Sequence, residues 1–220
     1  MNLRWWLWVV LVVGSATPIA AEERTAANDP QVPWTIESRN DDPVTGYVFY
    51  KRIPSGSKFA AYRLEAEIDA PPEAVARAAR ARLLDPDEHQ ARMRKEILSD
   101  DGDVVIVYSY IDMPPFITDR DIVTRAERLF DAETRSYRLE WHTTDEGPPP
   151  RDGVIRVQKS DGSWVFEPLQ GGRTRVIYES HTETAGALPG WLVNSLMNDT
   201  VIGDFQGLRA RAIGDAQSGG

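Results

Sequence analysis

From Lys95 to Glu183 the sequence offers one short extended run after another, and from Pro189 to about Ile213 it closes with a single amphipathic helix. The runs are Ile97 to Ser99, Val104 to Ile111, Ile122 to Phe130, Ser136 to Thr143, Val154 to Lys159, Ser163 to Leu169 and Thr174 to Thr182. Asp101-Gly102, Asp161-Gly162 and Gly171-Gly172 read as turns between them. Connections this short join antiparallel neighbours, so the region is predicted as a meander. In the final element Val193, Met197, Val201, Phe205, Leu208 and Ala212 recur every three or four residues. That spacing makes one apolar stripe, which has to be buried against another surface. A strongly curved antiparallel sheet wrapped around the helix buries both.

The chain upstream adds strands and a helical segment. Gly46 to Arg52 and Lys58 to Asp69 are extended, and in the second run Ala60, Tyr62, Leu64, Ala66 and Ile68 alternate with Ala61, Arg63, Glu65, Glu67 and Asp69. This is a strand with one dry and one wet face. Asp69 ahead of Pro71 and Pro72 reads as a capping start for a helix from Ala74 to Leu84. Pro86 ends it and opens a second, from about Asp87 to Met93. Arg77, Arg80, Arg82, Arg92 and Arg94 make this the most basic stretch. It suits either a solvated face laced with Glu73, Asp85, Asp87 and Glu88 or a docking patch for anionic lipid head groups.

Met1 to Ala21 has the order of a secretory leader: Arg4, an apolar run from Trp5 to Val13, then small residues ending at Ala20 and Ala21. Nine apolar residues fall well short of the roughly 20 a spanning helix needs, so cleavage is expected rather than anchoring. The chain has no cysteine, which excludes a lipoprotein anchor and leaves the core as the source of stability. Residues 22–33 read as a flexible tether, 34–214 as the folded domain and 215–220 as a disordered tail, in a periplasmic or secreted monomer. Asp and Glu number 34 against 25 Lys and Arg, a formal charge of −9, and a surface of that sign disfavours a nucleic-acid partner. His89, His142 and His181 lie far apart without metal spacing, and neither a nucleophile elbow nor a phosphate-cradling loop occurs, so no metal, cofactor or catalytic residue is assigned. Each histidine is expected to be a solvated or hydrogen-bonded surface residue, with His181 and Glu183 on one strand face a weak pair.

Four segments resemble START (steroidogenic acute regulatory protein-related lipid transfer) domains. They are Tyr108-Ser109-Tyr110-Ile111-Asp112-Met113-Pro114-Pro115-Phe116 leading into Asp119-Arg120-Asp121-Ile122-Val123, then Gly153-Val154-Ile155-Arg156, then Gly162-Ser163-Trp164-Val165-Phe166-Glu167-Pro168-Leu169, then Leu188-Pro189-Gly190-Trp191-Leu192-Val193-Asn194. The resemblance implies an α+β helix-grip fold. In it a curved antiparallel sheet wraps a long C-terminal helix, a short helix pair follows the first strands, and a deep cavity holds one lipid. Ala126 stands where sterol-carrying members have a buried arginine.

The candidate ligand-binding residues are Tyr108, Tyr110, Arg120, Trp141, Val176, Tyr178, Met197, Val201 and Phe205. For the aromatics, cross-strand packing is the alternative to lining a pocket. The face carrying Val176, Tyr178, Ser180 and Thr182 mixes aromatic and hydroxyl groups, which suits an amphipathic ligand. Arg120 is either clamped by Asp119 and Asp121 or offers its guanidinium fork to a lipid phosphate or carboxylate. Pro114, Pro115, Phe116 and Ile117 either pack over the end of the sheet or form an apolar tip for transient membrane contact. Gly203 and Gly207 either soften the terminal helix into a lid or allow close packing. The expected function is carriage of one lipid or other hydrophobic molecule, the alternative being a helix-grip enzyme of cyclase or hydrolase type with an acid or base among Glu167, Glu183, His142 and His181.

Overall fold

The structure, a computed structural model, describes residues 32–85, 93–186 and 188–218. The leader, most of the tether and nearly all of the second predicted helix lie outside the described residues. Met93, the last residue of that predicted helix, instead opens a strand. In chain order the elements are β1 Thr35–Asn40, β2 Tyr47–Arg52, β3 Ala61–Ile68, α1 Pro72–Leu84, β4 Met93–Asp100, β5 Val104–Ile111, β6 Arg120–Asp131, β7 Ser136–Thr143, β8 Ile155–Arg156, β9 Lys159–Pro168, β10 Thr174–Glu183 and α2 Gly190–Ser218.

The strands form one sheet in the order β1-β2-β3-β10-β9-β7-β6-β5-β4, antiparallel throughout that path. The predicted meander is therefore present, and β10 returns to pair with β3. The two-residue β8 lies off the path, parallel to the start of β6. Both helices pack against the concave face. There Phe49, Leu64, Ile68, Phe166 and Val176 from the strands meet Val75 and Ala78 of α1 and Val201, Phe205, Leu208 and Ala212 of α2. The helical stripe is buried as its spacing requires, and in β3 Tyr62, Leu64, Ala66 and Ile68 face inward as the alternation requires. Fully burying one side chain of this size contributes about 1.5–3 kcal/mol.

Three local assignments are corrected. Asp161-Gly162 is not a turn but lies inside β9, paired with His142 and Trp141. The glycine serves close approach: a Cβ there would come within 2.3 Å of the Trp141 ring. Asp69 does not cap α1, whose N-cap is Pro71 without a side-chain cap bond; the fixed φ of the prolines starts the helix instead. Residues 215–218, assigned to a disordered tail, continue α2, where the Ser218 hydroxyl donates to the Gly214 carbonyl at 2.8 Å.

The convex face is covered only in part. Ile106, Tyr108 and Val123 form a second apolar cluster with Leu98 and Tyr110, and Gly147 packs directly against Val123 and Leu98. Beneath this cover Asp121 is fully buried and accepts from Arg156 Nε at 2.7 Å and Nη2 at 3.0 Å, and from the Tyr108 hydroxyl at 3.2 Å. The Arg156 fork holds the Asp121 carboxyl below the usual carboxylate range. Elsewhere the face carries charge, such as the Arg63, Glu65 and Arg175 pairs across β3 and β10.

Candidate ligand-binding site

Between the helices and the concave sheet lies a cavity of about 290 Å³. Leu139 and Trp141 of β7, Trp164 of β9 and Tyr178 of β10 line the sheet side, while Ala79 and Leu83 of α1 and Leu208 of α2 line the helical side. The Tyr178 ring sits 4.4 Å from Trp164 and 5.9 Å from Trp141, centroid to centroid, so three aromatic groups make one continuous surface. Burial raises the Tyr178 phenol well above its ordinary value, which keeps it neutral. The polar part consists of Ser109, Thr124 and Ser160 with Arg82, Lys95 and Asp204. Arg82 reaches Asp204 at 3.7 Å and lies over Gly207, where a Cβ would come within 2.0 Å of the guanidinium. At Gly207 a Cβ would require the end of the Arg82 side chain to shift, whereas at Gly203 it would meet only open space.

Of the predicted ligand-binding residues, Trp141 and Tyr178 line the cavity. Val176, Val201 and Phe205 are fully buried in the adjoining core, with Met197 half-buried against it. Tyr108 and Tyr110 face the convex side and are removed from the site. Val107 and Ser109 of β5 line the cavity, so the alternate residues on that strand point away. The Tyr108 hydroxyl is engaged by Asp121 and the Tyr110 hydroxyl by Asp119. Trp164, Leu139 and the hydroxyls of Ser109, Thr124 and Ser160 were not predicted, although the predicted strand from Ser163 to Leu169 already put Trp164 on the face of Phe166.

Arg120 lies on the cavity side of β6 by alternation with Thr124 and Ala126, both of which line it. It is buried, at 4% exposure, but no carboxylate among the described residues clamps it. Asp119 is occupied by Tyr110 and by the Met113 amide, and Asp121 by Arg156. The predicted clamp is therefore absent. Ala126, where sterol carriers have arginine, is buried on the cavity wall.

The loop from Asp112 to Asp119 does not pack over the sheet end. Pro114, Pro115 and Phe116 are exposed, the last completely, while Ile117 is half-buried. Pro114 to Ile117 form a turn closed by the Ile117 amide donating to the Pro114 carbonyl at 3.1 Å, with Phe116 at φ 74°. Positive φ at the third turn position is the type II pattern, which a non-glycine residue adopts at a cost of roughly 1–2 kcal/mol. Met93, which lines the cavity, pairs with Ile111 at the base of this loop.

The enzyme candidates sit elsewhere. His142 is exposed, and Glu167 and Glu183 alternate with inward-facing Phe166 and Thr182. His181 is not a surface histidine: it is buried on the outward side of β10, its Nε2 2.9 Å from Glu183 Oε1 and its Nδ1 3.4 Å from the Ala60 carbonyl. Of the basic cluster, Arg77 pairs with Glu73, Arg80 with Asp100 and Arg82 with Asp204, and Arg94 covers the Tyr110 ring. These contacts fit a paired face, except that Arg82 is largely buried and lines the cavity.

A curved antiparallel sheet gripping one long helix, with a cavity between them, defines a helix-grip protein. The START domain family model matches residues 20–213, and the chain belongs to that family. It is 30% identical over 187 residues to an uncharacterized protein of Pseudomonas aeruginosa, a match covering 81% of this chain and 86% of that one. Its fold is similar to that of a STAR-related lipid transfer protein of Xanthomonas axonopodis, at TM-score 0.67 and 21% identity, covering 81% of this chain and 98% of that one. The human StAR-related lipid transfer protein 5 aligns at TM-score 0.63 and 18% identity over 81% of this chain and 86% of its own.

Proposed function

We propose that the protein binds a single hydrophobic molecule in the cavity and carries it in the periplasm or at a membrane surface. The observation that carries this reading is the aromatic-walled hollow between sheet and α2, where a domain built only for stability would be filled. Burying about 300 Å² of ligand surface there contributes roughly 7 kcal/mol, which suits micromolar carriage. The exposed Pro114-Pro115-Phe116 tip beside the cavity supports transient contact with a bilayer, the second apolar environment that release requires. Membership in the START family supports the ligand class, and the leader-like segment at 1–21 supports export.

Native mass spectrometry of protein purified gently from its own host tests this directly. A bound hydrophobic species of several hundred daltons is expected. Protein that is uniformly empty, and that also refuses added lipid, overturns the proposal.

A further inference from the structure

Arg120 is a buried cation whose neighbouring carboxylates are both committed to other groups. Its Nη1 donates to the Thr118 carbonyl and its Nη2 to the Ala185 carbonyl at 3.4 Å, while Nε finds no partner among the described residues. Asp119 acts on this guanidinium through its charge but does not bond to it, and neutral carbonyls compensate a desolvated cation only partly, so a directly bonded anion is still lacking. A second buried polar atom close by also finds no partner among the described residues: Thr184 Oγ1, on the residue preceding Ala185. Ala185 itself holds φ 55°, a left-handed conformation unfavourable for alanine.

Both groups lie along a strip of hydroxyls that begins in the cavity. Ser160 lines the cavity and hydrogen-bonds Thr182 at 2.8 Å. On β10, Tyr178, Ser180 and Thr182 share one face, and Thr184 follows two residues on. On β6, Arg120 shares its face with the cavity-lining Thr124 and Ala126. A path from apolar wall through hydroxyls to a guanidinium with a free Nε and no directly bonded carboxylate among the described residues matches an amphiphile with an acidic end.

We propose that Arg120 and Thr184 form the seat for the carboxylate or phosphate head of an amphiphilic ligand whose apolar part lies against Trp141 and Trp164. The proposal rests on the cavity reading above and adds the chemical class of the ligand. Arg120 would donate through Nε to an anionic oxygen, and the Thr184 hydroxyl would donate to the same head. One charge-assisted hydrogen bond of this kind corresponds to about 10- to 100-fold in affinity.

The test compares dodecanoate, dodecyl phosphate and dodecanol binding to the purified full chain by calorimetry, with inorganic phosphate as a competitor. The two acids are expected to bind about 10- to 100-fold tighter than the alcohol. Arg120→Gln should bring the acids to the alcohol's level while leaving the alcohol within about threefold, and Thr184→Val should weaken the acids alone. Equal binding of acid and alcohol to the wild type overturns the seat, as does equal weakening of both by Arg120→Gln, which would make Arg120 only a clamp between the two loops. Should Arg120→Gln fail to fold, the wild-type ratio and Thr184→Val decide. Displacement of dodecanoate by millimolar inorganic phosphate would assign the seat to a free anion and overturn the head-group assignment. Failure of every dodecyl probe to bind would strike the cavity reading itself and this inference with it.

Discussion

Where β2, β3 and β10 face α2, Phe49, Leu64, Val176, Val201 and Phe205 meet flush, each at most 1% exposed; where β5, β6 and β7 face it, the wall stands back and leaves about 290 Å³. The difference is one of side-chain volume. The flush half presents Phe, Leu and Val to the helix, whereas in the hollow half β5 and β6 present Ser109, Thr124 and Ala126, joined by Ser160 of β9, beside the larger Leu139 and Trp141 of β7. The hollow half therefore has less inward packing at β5 and β6 and draws rigidity from its back as well. Tyr108, Val123 and the Asp121–Arg156 pair supply that support from the convex side. One half of the sheet stabilises the fold, and the other leaves room for a guest.

Four substitutions probe this division. Phe205→Ala in the flush half should lower unfolding free energy by about 3–5 kcal/mol in urea titrations, the usual range for a buried aromatic. Asp121→Ala should approach that loss, about 3–5 kcal/mol, because it strands the Arg156 charge behind the hollow half. The Asp121 carboxyl is depressed in the folded state, so its contribution is present above the unfolded value of about 3.9 and fades as pH falls below it. The stability gap between wild type and Asp121→Ala should accordingly narrow in acid; a constant gap would remove the ion pair as the cause. Ala126→Leu should fill the cavity, changing stability by under about 1 kcal/mol while weakening a bound hydrophobic probe about tenfold or more. The smallest effect belongs to Phe116→Asn, which relieves the left-handed position by up to about 1 kcal/mol and reduces association with lipid vesicles. If vesicle binding persists undiminished, the tip is not the contact.

Much of the fold was legible because period-two and period-four patterns survive wherever an element has one wet face. β5 and β7 fall on their predicted limits, and the α2 stripe lies against the core. Legibility failed where a strand is covered on both sides. On β5, Val105 and Val107 alternate with Ile106 and Tyr108, all buried, so nothing in the pattern says which set faces the helix. Tyr108 and Tyr110 were consequently placed on the wrong side. Over Tyr108 lies Arg151, in the irregular stretch following β7, which has no periodicity to betray its position, and over Tyr110 lies Arg94 of β4. Gly162 misled for a different reason. A glycine after aspartate ordinarily signals reversal, but here it makes room for Trp141, a requirement visible only once the two strands are paired.

The pairing of β3 with β10 sets an order of events for the newly made chain. Ile68 finds its partner in Thr174 and Ala61 in His181, residues synthesised far later. Until then β3 presents an unpaired edge, and the early three-stranded unit has neither its neighbour nor the helix that will cover it. Such distant closure is slow relative to local hairpins. The nascent protein must therefore be kept from self-association until its C-terminal quarter arrives, so the demand on chaperones should be greatest just before the final strand and helix are released.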